Sequence, residues 1–138
     1  MTINVENKNV AFASSFTTSS TSYVDLLDGP GGAVIDVTIV KTGGAADSNI
    51  LVQCGACCVQ NATTAVVTLG IHDGTTTFDA GRAENYQTAY GLILGAKLFT
   101  GLAAGSYTFK IRVKLSAGNQ VNFNANHSGF ITAMEVAA

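Results

Sequence analysis

From Tyr107 to Leu115 the chain reads YTFKIRVKL, and a large apolar side chain stands at every second position without a fault. Tyr107, Phe109, Ile111, Val113 and Leu115 share one side of an extended backbone, and Thr108, Lys110, Arg112 and Lys114 share the other. Successive side chains of a strand point to opposite faces, so this segment predicts a strand with one dry face and one wet or partner-facing face. On a helix the same residues would be scattered around the circumference. The Gly-Leu-Ala-Ala-Gly run of residues 101–105 predicts a tight loop leading into the strand.

Similar segments recur along the chain. TSYVDLL (21–27) is followed by DGPGG, which holds the only proline and signals a turn. AVIDVTIVK (33–41) places Ile35, Val37 and Ile39 on one face and Asp36 and Thr38 on the other. NILVQCGACCVQ (49–60) is apolar nearly throughout, which predicts a central strand buried on both sides, with a bulge at Gly55. AVVTLGIHDG (65–74), GLILGAKLF (91–99), QVNFNAN (120–126) and GFITAMEVA (129–137) complete the set. Residues 75–91 are less regular and read as a loop with one short strand at most. Eight or nine strands at intervals of about 8–12 residues, with no amphipathic helix, predict an all-β sandwich or barrel. A jelly-roll β-sandwich of about eight strands suits the count.

Residues 1–22 differ in texture: Phe12 and Phe16 are set in FASSFTTSSTS, which is rich in Ser and Thr. This stretch reads as an N-terminal arm or edge strand ahead of a single domain over 23–138. Two readings stay open: an anchor whose phenylalanines insert into a partner, or a first strand paired to the parent sheet.

A chain of 138 residues is long enough to bury its own core. Only 12% of its residues are charged, against ~25% in ordinary soluble domains. Thr, Ser, Asn and Gly take the place of the missing charges, giving a polar but nearly neutral surface suited to packing against copies of itself or a scaffold. The net charge of −2 and the absence of a basic run argue against nucleic acid as a partner. No run of about 18 apolar residues is present, so no membrane-spanning helix is expected. The first residues lack the basic and apolar regions of a secretory signal, so synthesis in the cytoplasm is expected.

Candidate chemistry is sparse. Cys54, Cys57 and Cys58 are crowded into CGACC. Their odd number argues against a closed disulfide framework. One Cys-x-x-Cys with no second pair or nearby His is half a zinc site at best. Small buried hydrophobes are the plainer reading, with Cys54 and Cys58 on one strand face and Cys57 on the other. His72 and His127 lie in or beside turns, and no nucleophile elbow accompanies them. The pairs Asp25/Asp28 and Asp73/Asp79 flank turns, where a carboxylate caps the backbone. No catalytic residue, cofactor or metal is therefore expected. Lys110, Arg112 and Lys114 form a charged-face candidate that either pairs with acidic groups of a neighbour or keeps a sheet edge soluble. Tyr86 and Tyr90 are candidates for a glycan platform.

TSYVDLL, the LFTGLAAGSYTFKIRVKLSAG region and the terminal GFITAMEV together resemble bacteriophage virion jelly rolls. These are the small tumour-necrosis-factor-like modules of capsid decoration proteins, head fibres and fibre tips, and the resemblance covers roughly residues 22–136. It implies a homotrimer that binds by surface, with the major capsid protein or another virion protein as partner and no catalysis. With no long repetitive shaft, a stand-alone decoration or minor capsid protein on the head surface is favoured over a complete fibre. Under that reading Phe12 and Phe16 are the capsid-anchor candidates. The alternative is a carbohydrate- or receptor-binding module of a phage fibre or bacterial surface protein.

Overall fold

The computed structural model describes residues 3–60, 66–84, 90–117 and 120–138. Among these the chain is all β, and two antiparallel sheets face one another. In the first sheet β1 (Val5–Ala11) pairs with β11 (Ser128–Ala137), and β11 pairs with the long β5 (Ser48–Gln60). On the far side of β5 lies β8 (Gly91–Phe99), while β10 (Val121–Phe123) pairs with the last two residues of β5 and carries β2 (Phe16–Thr18). In the second sheet β9 (Gly105–Leu115) is interior. One flank of β9 pairs with β4 (Asp36–Lys41) and β3 (Val24–Asp25), and the other with β6 (Val66–His72), beyond which lies β7 (Thr77–Glu84).

The alternation of β9 has the meaning its sequence implied. Phe109, Ile111, Val113 and Leu115 are buried, and Lys110, Arg112 and Lys114 stand on the opposite face. Val37 and Ile39 of β4 join them, and from the other sheet come Ile50, Val52, Cys54, Ala56 and Cys58 of β5 with Ile131 and Ala133 of β11. This shared interior is the driving force for the sandwich, because each sheet has one apolar face to remove from water.

Of the N-terminal stretch, Val5–Ala11 and Phe16–Thr18 are woven into the first sheet. β1 runs along β11 for its whole length, and β2 along β10. Phe12 and Phe16 are therefore not available as capsid anchors. Phe12 is 1% and Phe16 9% exposed, and both rings pack against Phe123, at centroid distances of 5.8 and 6.2 Å. An aromatic ring surrendered to its own core has no surface left to insert into a neighbour.

Two local expectations are also corrected. Residues 77–84 form a full strand rather than a loop; Ala80 has no counterpart on β6, and the register shifts at Leu69/Gly70. That bulge puts Asp79 and Arg82 on the same face and hides the period of two. At Gly55, by contrast, the ladders to β11 and β8 run through unbroken. A Cβ there would meet the Phe130 ring at 2.6 Å and the end of the Leu94 side chain at 2.8 Å, so a larger residue needs those side chains to shift. β5 is central, yet its second face (Leu51, Gln53, Cys57, Val59) is only partly covered.

Both open sides of the sandwich are closed. On one, β7 crosses β8 backbone to backbone at Gly81 and Gly95. On the other, the Asn4 side-chain amide donates to the Val40 carbonyl at 2.6 Å, and Lys8 reaches Asp36 at 3.3 Å.

Candidate functional site

The outer faces of the two sheets differ in kind. On the second sheet every cation of the β9 ladder meets a carboxylate of this same chain. Lys110 Nζ and Arg112 Nε each donate to Asp25 at 2.8 Å, and Lys114 Nζ reaches Asp79 at 3.3 Å. Arg82 also pairs with Asp79, at 3.2 Å, while the Tyr23 hydroxyl donates to that carboxylate and the Lys114 ammonium sits 4.3 Å above the Tyr23 ring. Neither sequence reading of Lys110, Arg112 and Lys114 survives unchanged, because β9 is not an edge and the cations are matched internally. Burial pushes the Asp25 carboxyl up, but hydrogen bonds from Lys110 and Arg112 outweigh it and leave the group below its usual range. For Asp79 the Tyr23 hydrogen bond is the leading cause of a similar lowering.

The first sheet presents the opposite. Its register sets outward residues in rows across β1, β11, β5 and β8: Val5–Met134–Leu51–Leu98, then Asn7–Thr132–Gln53–Ala96, then Asn9–Phe130–Gly55–Leu94. A fourth row holds Ala11 beside Ser128 and Cys57 beside Leu92. No Asp, Glu, Lys or Arg occupies any of these positions. Leu92, Leu94 and Leu98 are 54%, 59% and 45% exposed, and Val5 is 51% exposed at the far edge. Exposed Ile3 and Val40 extend the apolar surface around the β1 side. Strand and row spacings make this face on the order of 400 Å². Its apolar margins on β8 and at Val5 are separated by the polar side chains of Asn7, Asn9, Thr132 and Gln53.

At one end of this face Cys57 Sγ lies 3.4 Å from His127 Nδ1. The Tyr90 ring stacks on His127, 4.1 Å between centroids and 20° between planes, and the Asn124 amide donates to the Tyr90 hydroxyl. Burial pushes the Cys57 thiol up. Cys54 and Cys58 point into the core, where burial raises each to about 12. The Cys57–His127 pairing was not legible in the sequence, since the two residues are 70 positions apart and meet only through the β5–β11 ladder. Among the described residues no cluster of three or more His, Cys, Asp and Glu forms a metal centre. Tyr86 lies outside the described residues. Tyr90 is 47% exposed.

His72, Asp28, Asp73, Glu135 and Lys41 bond within the chain. His72 Nδ1 lies 2.9 Å from Thr77 Oγ1. Asp28 accepts from the Ala33 amide and Asp73 from those of Thr75 and Thr76, so both cap turns. Buried Glu135 accepts from Ser48 Oγ (2.6 Å), the Gly43 amide (2.7 Å), and both the amide and hydroxyl of Thr42. Those hydrogen bonds, Ser48's foremost, hold its carboxyl down at about 2. Buried Lys41 donates to the carbonyls of Gly43 and Gly44. Together the two charges tie down the 42–47 connection.

No protein-family model matches this chain, and no curated protein sequence matches it. Solved structures do match over nearly its whole length. VP2 in the infectious bursal disease virus subviral particle superposes at a TM-score of 0.59 with 12% identity, over 98% of this chain and 33% of that one. The PRD1 vertex protein P5 matches at 0.53 and 14%, over 96% of both chains. Murine APRIL matches at 0.52 and 11%, over 96% of this chain and 100% of its own. At such identities the likeness shows the fold alone, a jelly-roll β-sandwich.

Proposed function

We propose that this chain is a structural virion protein, a capsid decoration or minor capsid protein that forms a homotrimer and acts by surface contact without catalysis. The observation that carries the reading is the partition of charge between the two outer faces. One is ion-paired and self-sufficient; the other is uncharged and partly apolar over four strands. A second copy fits the uncharged face, because it brings no like charges into opposition and needs no desolvation of ions. The face has apolar margins at both edges, Val5 on β1 and the β8 leucines. In a closed ring the β8 margin of one copy meets the β1 margin of the next. Fold-level similarity to a vertex protein and to VP2 of a subviral particle supports a particle-associated role. Several copies held together would convert modest contacts with a capsid into durable attachment.

Native mass in solution tests the assembly, with a trimer expected at micromolar concentration; a monodisperse monomer overturns it. Co-sedimentation with assembled capsids at a fixed copy number tests the virion role. Deleting residues 1–20 does not test attachment, since it removes two strands and Phe12 from the fold.

One observation favours the second reading, a carbohydrate-binding module. Tyr90 presents a half-exposed ring immobilised by His127 and Asn124. Specific glycan-array hits that vanish in Tyr90→Ala would establish it.

A further inference from the structure

Cys57 and His127 are in hydrogen-bond contact at the end of the uncharged face. A tetrahedral ion held by one thiolate at ~2.3 Å and one imidazole nitrogen at about 2.0 Å keeps those two atoms about 3.5 Å apart, and the observed separation is 3.4 Å. The imidazole is also immobilised: Tyr90 stacks on its plane, and Tyr90 is in turn fixed by Asn124. Outer contacts that orient a ligand ring in this way are a regular part of metal sites. Cys57 belongs to the uncharged outer face beside Leu92, whereas Cys54 and Cys58 face the core. Within one chain only two donors are present, and among the described residues no third His, Cys, Asp or Glu joins them.

We propose that Cys57 and His127 are part of a zinc-type site completed by the same pair from neighbouring copies, an inference that rests on the uncharged face being the contact between copies. Binding requires His127 as the Nε2–H tautomer, so that the Nδ1 lone pair is free, and requires the Cys57 thiol to release its proton to solvent. Metal affinity therefore rises with pH. A zinc-type ion takes about four ligands and a trimer offers three such pairs, so the copies share one ion and the expected metal-to-chain ratio is one per trimer.

The test is a titration of EDTA-treated protein with Co²⁺, followed by the thiolate-to-cobalt charge-transfer and tetrahedral d–d absorption. Native mass is measured alongside, in EDTA and in metal. The expected result is absorption that saturates below one Co²⁺ per chain and is displaced by Zn²⁺. It should weaken at least tenfold in both Cys57→Ser and His127→Ala, with the circular dichroism of each variant unchanged. Saturation at one ion per chain, or absorption that persists in either folded variant, overturns the shared site. An oligomer in EDTA that shows no thiolate band overturns the metal site while leaving the interface reading intact. A monomer in both buffers overturns both.

Discussion

Gly81 and Gly95 lie where two strands cross with no room for a side chain. A Cβ on Gly81 would stand 2.2 Å from the Leu94 carbonyl oxygen, and one on Gly95 would stand 2.5 Å from the Ala80 carbonyl carbon. The obstruction is backbone in both cases and cannot rotate away. Gly81→Ala and Gly95→Ala should each destabilise the fold by about 3 kcal/mol, at the upper end of overpacking costs. Urea denaturation of the single variants and of the pair checks this. The two sites share one contact, so the double variant should lose less than the sum.

Glu135 makes stability depend on acid in a definite direction. Its folded carboxyl lies at about 2, below an ordinary value of 4.5, so the folded state holds the proton less tightly than the unfolded chain. The contribution is complete above the unfolded value and is lost as pH falls towards about 2. Glu135→Gln should be less stable than the parent at pH 7, and the gap should narrow steadily between about pH 5 and pH 2. Urea midpoints of both proteins across that range measure it; a gap independent of pH would contradict it.

Phe12 is a core residue. Phe12→Ala should cost about 3–5 kcal/mol, as other buried aromatic truncations do. Thermal or urea denaturation would register that loss directly. A variant of unchanged stability would return Phe12 to the surface role its sequence context allowed.

Leu94 faces outward at the centre of the β8 margin, 59% exposed. Leu94→Lys places a charge on the uncharged face and removes apolar contact there. Sedimentation velocity should show dissociation to a monomer, while the far-ultraviolet circular dichroism of the variant stays that of the parent. A charge at this position that leaves the oligomer intact would remove β8 from the proposed contact.

Much of the fold was legible because burial on one face writes itself as a period of two. β9 alternates in sequence as it does in burial, and β4 does so from Asp36 to Ile39, whereas buried Lys41 and Glu135 depart from the pattern in β4 and β11. β7 was illegible because its bulge at Ala80 breaks that period and interposes Gly81. β1 was ambiguous for a different reason: it is an edge strand whose outward residues Asn7 and Asn9 carry no apolar signal. The spacing of the β8 leucines was visible, but not the side of the sheet to which they point.

The sequence by itself determined the class of fold, the inner strand over 107–115 and the neutrality of the surface, since these follow from local alternation and composition. Only the tertiary structure decided what each outer face is for. Whether Lys110 and Arg112 are free or neutralised depends on Asp25, more than eighty positions away. Whether Leu94 is core or surface depends on the register in which its strand pairs with β5. Pairing of distant strands brings such residues together, and a one-residue change of register would reverse every one of these assignments.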